Sequence, residues 1–342
     1  MIKVLLTGSS GTVGSEVLKQ LCEIPELDIT VFDKNTKVSK KVFSSVKCNI
    51  KVVYGDISSK EDVFKVCCNK DIVIHLAGII PPLADKCPNL ARNVNVLGTK
   101  NIIEGIEELS PNAFLIYSSS ISVYGDRNHN PWINVNDNLN PSGRDEYAKT
   151  KIEAESLITK SKIKWTIFRL TAIMGVSNHK SSSIMFHMPL DTKMEICTPA
   201  DTARAFVNAI NNQSKLVNKI FNLGGGPSCR IIYEEFLSRS FNIFGLGKLN
   251  FSKNSFANKN FHCGYYEDGD ILNNILDFRK NSIEDYFNEV KKSINIFKKI
   301  FTILLRKIIK HNLQKQSEPL NSKNKNIIEE IKYYFKNTED PG

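Results

Sequence analysis

The stretch Val4-Leu5-Leu6-Thr7-Gly8-Ser9-Ser10-Gly11-Thr12-Val13-Gly14 constrains this chain more than any other. An apolar run breaks into a glycine-punctuated turn and resumes with Val13, Val17, Leu18 and Leu21 at helical spacing, which predicts strand, tight turn and helix. Lacking a Cβ, Gly8 can take the sharp turn, Gly11 lets backbone approach a pyrophosphate, and Gly14 lets the helix sit close on the strand. The helix opening, at Thr12 and Val13, then turns unpaired N–H groups and a positive dipole end toward the phosphates. Glycines also mark ordinary turns, so the setting matters. Asp33 ends a second apolar run, Ile29 to Phe32, about 20 residues on, where a ribose-binding carboxylate belongs. These features together imply a dinucleotide site.

Further apolar runs at Ile50–Tyr54, Ile72–Leu76, Ala113–Tyr117 and Trp165–Phe168 alternate with helical patterns at Asp62–Cys68, Leu90–Leu109 and from Asp145 onward. Such alternation predicts an α/β fold, a doubly wound parallel sheet with its ligand crevice at the strands' carboxyl ends. Asp126 to Pro141 is rich in Asn, Asp, Gly and Pro and reads as a loop. After Thr171 the pattern loosens, with a Ser/His-rich stretch around Asn178 to Ser183, a helix at Asp201–Ile210, a strand at Ile220–Leu223 and a helix near Ile231–Phe241. The reading divides the chain into a Rossmann-type domain at 1–170, a smaller substrate-binding region at 171–289 interleaved with the last sheet elements, and a basic tail at 290–342.

Two constellations can carry chemistry. Tyr147 and Lys151 lie four apart at the start of a predicted helix, so their side chains share one face. Tyrosine, with a reference pKa of about 10, is a poor base at neutral pH, but an adjacent ammonium favours its phenolate. Ser120 ends a predicted strand where the crevice would form, and it could hydrogen-bond a substrate hydroxyl or carbonyl. Together the three could move a proton while a hydride passes to or from a nicotinamide.

Residues 1 to 289 resemble the extended short-chain dehydrogenase/reductase family, the group of the NAD-dependent epimerases and dehydratases. The landmarks come in that family's order: Thr7-Gly8-x-x-Gly11-x-x-Gly14, Asp33, Gly55-Asp56-Ile57, His75-Leu76-Ala77-Gly78, Asn95-x-x-Gly98-Thr99, Ser118-Ser119-Ser120, Val123-Tyr124-Gly125, Tyr147-x-x-x-Lys151, Arg169 and Phe221-Asn222-Leu223-Gly224. The resemblance implies Tyr147 as catalytic acid/base, Lys151 as its activator and ribose ligand, and Ser120 as the substrate-orienting hydroxyl. It places Asp56 and Ile57 at the adenine, Leu76, Ala77 and Gly78 along the cofactor, and Asn95 beside it in a supporting part. Asp33 favours NAD by repelling a 2′-phosphate, while Lys34 and Lys37 keep NADP open.

The chain also departs from that family. Dehydratases carry an acidic pair where Ile121 and Ser122 stand here, so elimination of water is not expected. Ala172 and Met194 stand where epimerases carry an asparagine and an arginine for the nucleotide diphosphate. Ser119, Ser120, Arg169, Ala172, Lys193 and Arg204 remain as candidate substrate contacts. The expected activity is reversible hydride transfer at a secondary alcohol or ketone, most often of a nucleotide sugar, with a non-nucleotide alcohol as the alternative. A non-catalytic NAD-binding protein is a third reading.

The formal net charge of +10 is concentrated: Val290 to Gln316 holds eight lysines and arginines and no acidic residue, so the rest is near balance and no nucleic-acid partner is expected. Within 290–311 apolar residues at helical spacing make a basic amphipathic helix. It suits either packing on its own domain or in a homodimer, or peripheral contact with an anionic membrane. A polar linker at Ser317–Asn326, a short helix at Ile327–Lys336 and a frayed end are expected beyond it. Eight cysteines without regular spacing, and six scattered histidines, predict reduced thiols, a cytoplasmic setting and no metal site.

Overall fold

The computed structural model describes residues 1–176 and 183–336, so the Ser/His-rich stretch, apart from Ser183, and the frayed end lie outside the described residues. The chain opens with β1 (Ile2–Thr7), α1 (Thr12–Leu21), β2 (Leu27–Asp33), α2 (Lys37–Ser45), β3 (Lys51–Tyr54), α3 (Lys60–Cys67) and β4 (Ile72–His75). Short helices α4 (Leu83–Lys86) and α5 (Pro88–Arg92) lead through a π-helical turn, Asn93–Leu97, into α6 (Gly98–Leu109). The single helix expected at Leu90–Leu109 is therefore interrupted where Asn95 faces inward. Next come β5 (Phe114–Ser120), β6 (Trp132–Ile133), α7 (Glu146–Lys160), β7 (Lys164–Leu170) and β8 (Ala172–Ile173). They are followed by β9 (Lys193–Cys197), α8 (Pro199–Ala209), α9 (Gln213–Leu216), β10 (Lys219–Leu223), β11 (Arg230–Ile232) and α10 (Tyr233–Phe244). The last elements are β12 (Tyr265–Tyr266), α11 (Gly269–Leu276), α12 (Ile283–Ser293), α13 (Ile296–Gln314), α14 (Glu318–Asn324) and α15 (Ile328–Tyr334).

Seven strands form one parallel sheet in the order β10-β7-β5-β4-β1-β2-β3. Its central strands are continuous apolar runs because helices cover both faces. Val17, Leu18, Ala205 and Phe206 of α1 and α8 cover one face, and Val63, Ile102, Ile106, Ala154 and Ile158 of α3, α6 and α7 the other. The strand order reverses between β1 and β4, and a crevice opens there at their carboxyl ends. A smaller sheet, β11-β9-β8, backs a third apolar cluster with α10, α12 and part of α13, and the predicted loop 126–141 contributes β6, which pairs with β12.

Three expectations fail. Cys22 and Cys48 are joined in a disulfide with Cα atoms 5.4 Å apart. The end of α1 and the approach to β3 lie side by side, a proximity hidden by their 26-residue separation. The expected polar linker is α14, because the Ser317 hydroxyl caps the Leu320 N–H at 3.1 Å and Pro319 fits the first turn. The amphipathic helix also breaks before Asn295, whose side chain caps α13 at the Phe297 N–H, 2.8 Å. No helix of the described residues is long and apolar enough to cross a membrane.

Candidate active site

Gly8 holds a φ of +69°, and a Cβ there would lie 2.6 Å from the Ala77 nitrogen. A Cβ on Gly14 would lie 2.1 Å from the Gly8 carbonyl oxygen, so α1 can start this close to β1 only with glycine. Helix α1 has no side-chain cap and no acidic residue in its first turn, which leaves its positive end for an anion. The Asp33 carboxylate accepts from the Ser10 N–H at 2.8 Å and from the Lys34 N–H at 2.8 Å, tying β2 to the glycine turn. A cleft of about 350 Å³ is lined by Gly8, Gly11, Asp33, Ile57, Leu76, Ala77 and Gly78 among others. Asp56 stands beside it. Burial works to raise its carboxyl, but hydrogen bonds from Ser58 and the Lys34 ammonium, 3.2 Å away, hold it below the usual range. The uncapped helix end, a turn open to backbone approach and an apolar slot beside two carboxylates fit a dinucleotide.

Two buried side chains stiffen this cradle. His75 bridges the Thr7 hydroxyl (2.8 Å) and the Thr99 hydroxyl (3.1 Å), and full burial pushes its imidazole down to about 3, so it stays neutral. Asn95, 1% exposed, accepts from the Ile79 N–H at 2.7 Å and donates to the Ile79 carbonyl and the Thr150 hydroxyl. Its amide clamps the segment after Gly78 to α7.

Helix α7 carries the candidate acid/base pair Tyr147 and Lys151. Asp145 caps it at the Ala148 N–H (2.8 Å), and Asp85 accepts from the Tyr147 N–H (3.3 Å), so two carboxylates meet its positive end. Tyr147, Lys151 and Glu155 then recur every four residues on the face toward β5. The Ser120 hydroxyl at the end of β5 stands beside the Tyr147 phenol. Burial holds that phenol well above its ordinary range, with the Ser120 hydroxyl opposing and the Asp145 carboxylate adding to the rise. The Lys151 ammonium donates to the Ser118 carbonyl at 2.7 Å and to the Tyr117 hydroxyl at 3.2 Å, and lies 5.7 Å from the Tyr147 ring centroid. Burial pulls it down to about 8, Glu155 opposing. In the free protein Tyr147 is thus a protonated acid, with a cation beneath it that titrates close to neutral pH.

The candidate substrate contacts fare differently. Glu155 accepts from the Ser119 hydroxyl and from Arg169, whose Nη2 stands 2.7 Å from Oε2 with both side chains 5% exposed. Arg169 also donates to the Tyr124 hydroxyl at 2.7 Å and the Val135 carbonyl at 3.0 Å. Ser119 and Arg169 are therefore internal braces between β5, α7 and β7, not open contacts. Arg204 donates to Asp201 and to the Phe278 carbonyl, both 2.5 Å, joining α8 to the end of α11. Ala172 and Lys193 lie in the small sheet, both half-buried.

Sequence reasoning missed Glu155, although it repeats the Tyr147–Lys151 spacing. It also missed a cleft of about 250 Å³ whose walls include Asp85, Arg144, His187, Glu318, Glu330 and Tyr333. Arg144 pairs with Glu330 at 3.2 Å and stacks on the Tyr333 ring at 4.6 Å, so the tail helix α15 closes against the residue before the α7 cap. Glu318 faces His187 at 3.1 Å and accepts from the Tyr334 hydroxyl. Among the described residues no cluster of His, Cys, Asp or Glu is placed to hold a metal ion.

Residues 5–167 match the 3-beta hydroxysteroid dehydrogenase/isomerase family. Over 196 residues the chain is 27% identical to a UDP-glucose 4-epimerase of Pisum sativum, covering 53% of this chain and 55% of the pea protein. Over 123 residues it is 29% identical to the Homo sapiens 3 beta-hydroxysteroid dehydrogenase type 7, covering 35% of this chain and 33% of that protein. The chain thus spans about half, or less, of the length of these curated relatives. A solved structure of UDP-glucuronic acid 4-epimerase from Bacillus cereus, in complex with UDP-glucuronic acid and NAD, aligns with a TM-score of 0.68 at 18% identity, covering 86% of this chain and 100% of that one. At that identity the likeness is one of fold.

Proposed function

We propose, on the premise that this chain belongs through residues 5–167 to the extended short-chain dehydrogenase/reductase family, that it is an enzyme of reversible hydride transfer between NAD and a secondary alcohol or its ketone. The observation that carries this reading is the buried Lys151 ammonium at the carboxyl end of β5, held by the Ser118 carbonyl at 2.7 Å and 5.7 Å from the Tyr147 ring centroid, with the Ser120 hydroxyl beside that phenol. Residues 1–170 hold the cofactor and 171–289 the substrate. Asp33 selects NAD, because its carboxylate would repel a 2′-phosphate and Lys34 is drawn to Asp56.

A bound dinucleotide would supply or accept the hydride. Ser120 and Tyr147 orient the substrate oxygen by hydrogen bonds. As charge develops on that oxygen, Tyr147 gives up its proton, and the Lys151 ammonium stabilises the phenolate left behind. In the opposite direction the phenolate takes the proton back.

A nucleotide sugar is the first substrate class, as for the pea and Bacillus cereus proteins, and epimerisation or reduction is the first reaction. A non-nucleotide alcohol or ketone is the second class. It is favoured by the internal engagement of Arg169 and Arg204, the two arginines that could have met a diphosphate, and by Ala172 and buried Met194 at the remaining positions. The test begins with the purified protein's absorbance and any nucleotide it releases. UDP-glucose, UDP-galactose, dTDP-glucose and a 3-hydroxysteroid are then added. Bound NAD that is transiently reduced by one of the sugars supports the epimerase reading. Net reduction of added NAD by the steroid alone moves the assignment to the second class, and binding of neither nucleotide nor substrate rejects both.

A further inference from the structure

Helix α13 has two apolar faces, and among the described residues only one is used. Ile309 and Leu313 pack into the third apolar cluster, and Lys310 donates to the Lys248 carbonyl (3.3 Å) and to Asn250, so this side fixes the helix on the protein. On the other side Phe297, Phe301, Leu304 and Ile308 recur at four, three and four residues, one line along the helix, at 77%, 62%, 75% and 59% exposure. Ile300, 51% exposed, widens the stripe. A helix seated on a protein ordinarily turns polar residues outward here.

We propose that this outer stripe docks α13 flat on an anionic lipid surface. The charge around it selects that occupant. At about 100° per residue, Lys298 and Lys307 flank the line of the stripe on opposite sides, and their long stems can reach toward phosphate while the aromatic rings enter the acyl boundary. From 290 to 316 the chain holds eight basic residues and no acid. A second copy laid stripe to stripe would set this charge against itself with no partner in the segment, whereas anionic headgroups complement it. The helix, interrupted by lysines and arginine, is not one that crosses a membrane, so it lies in the interface.

The experiment is co-sedimentation of the full chain with vesicles of phosphatidylcholine alone and of phosphatidylcholine with phosphatidylserine. Binding is expected to the anionic vesicles only and to fall as salt rises. Phe301→Ser with Leu304→Ser touches exposed side chains, so circular dichroism and thermal melting stay as in the parent. The anionic-vesicle partition coefficient drops at least about tenfold, as expected for moving two large side chains out of an apolar phase. Lys298→Glu with Lys307→Glu weakens binding without altering the stripe. No binding to anionic vesicles at low salt overturns the proposal, as does undiminished binding of the serine variant. A parent dimer that the serine substitutions convert to monomer assigns the stripe to a second copy and also overturns it.

Discussion

The cofactor cleft and the cleft under the tail lie at opposite ends of one scale. The first is made by backbone: Gly8 and Gly14 permit approaches that no Cβ could, and Asp33 ties β2 to the glycine turn through the Ser10 N–H. The second is made by side chains brought from far apart, with Arg144 and Glu330 separated by 186 residues. Backbone constraints force residue types, and exposed side-chain pairs do not. The two clefts should therefore respond to substitution with very different magnitudes.

The largest effect is expected at Tyr147. Tyr147→Phe removes the only proton the proposed chemistry moves and should lower kcat by about 10²–10⁴, the range of general acid–base catalysis, with NAD affinity retained in a fluorescence titration. Retained turnover would remove Tyr147 from the proton transfer. Glu155→Ala comes next. It leaves Arg169 charged and buried without its carboxylate, which costs about 3–5 kcal/mol in denaturant unfolding. If Arg169 instead contacts substrate, the loss appears in KM with stability nearly unchanged. Gly14→Ala forces a Cβ onto the Gly8 carbonyl, and an overpacking cost of about 1–3 kcal/mol should appear in stability and dinucleotide affinity together.

A pH titration sharpens the comparison from another side. Burial lowers Lys151 from 10.5 to about 8, so between those values the unfolded chain binds more protons than the folded one. The Lys151 contribution to stability accordingly rises with pH across that window. Activity runs the other way, falling above about pH 8 as the cation beneath Tyr147 is lost. The two profiles crossing in one pH range is a signature that general alkaline denaturation does not produce. Lys151→Met should flatten the stability slope.

The same contrast explains what was legible in advance. The parallel sheet, the glycine turn, Asp33 and the Tyr147–Lys151 pair are local patterns, with their partners within a few residues or one strand away. Glu155 continued the helical spacing, but its use depends on Arg169 reaching it from β7, which no spacing reveals. Arg169 and Arg204 stand among the candidate substrate contacts because a sequence shows charge and not what neutralises it. The Cys22–Cys48 pairing and α14 were hidden for a related reason: one joins residues 26 apart across β2 and α2, and the other depends on a serine cap read as linker composition.

The smallest expected effect is the most discriminating for the second cleft. The Arg144–Glu330 pair is 48% and 35% exposed, so a double-mutant cycle with Arg144→Ala and Glu330→Ala should give a coupling of only about 0.2–1 kcal/mol in stability. If α15 merely finishes the fold, kinetic constants stay flat as well. If it walls the substrate cleft, freeing Tyr333 from its stack on Arg144 changes KM for a substrate that reaches this far while leaving KM for NAD alone. A cycle in which stability is nearly silent and only substrate KM moves would place the tail in recognition, as a site written in side-chain pairs rather than backbone.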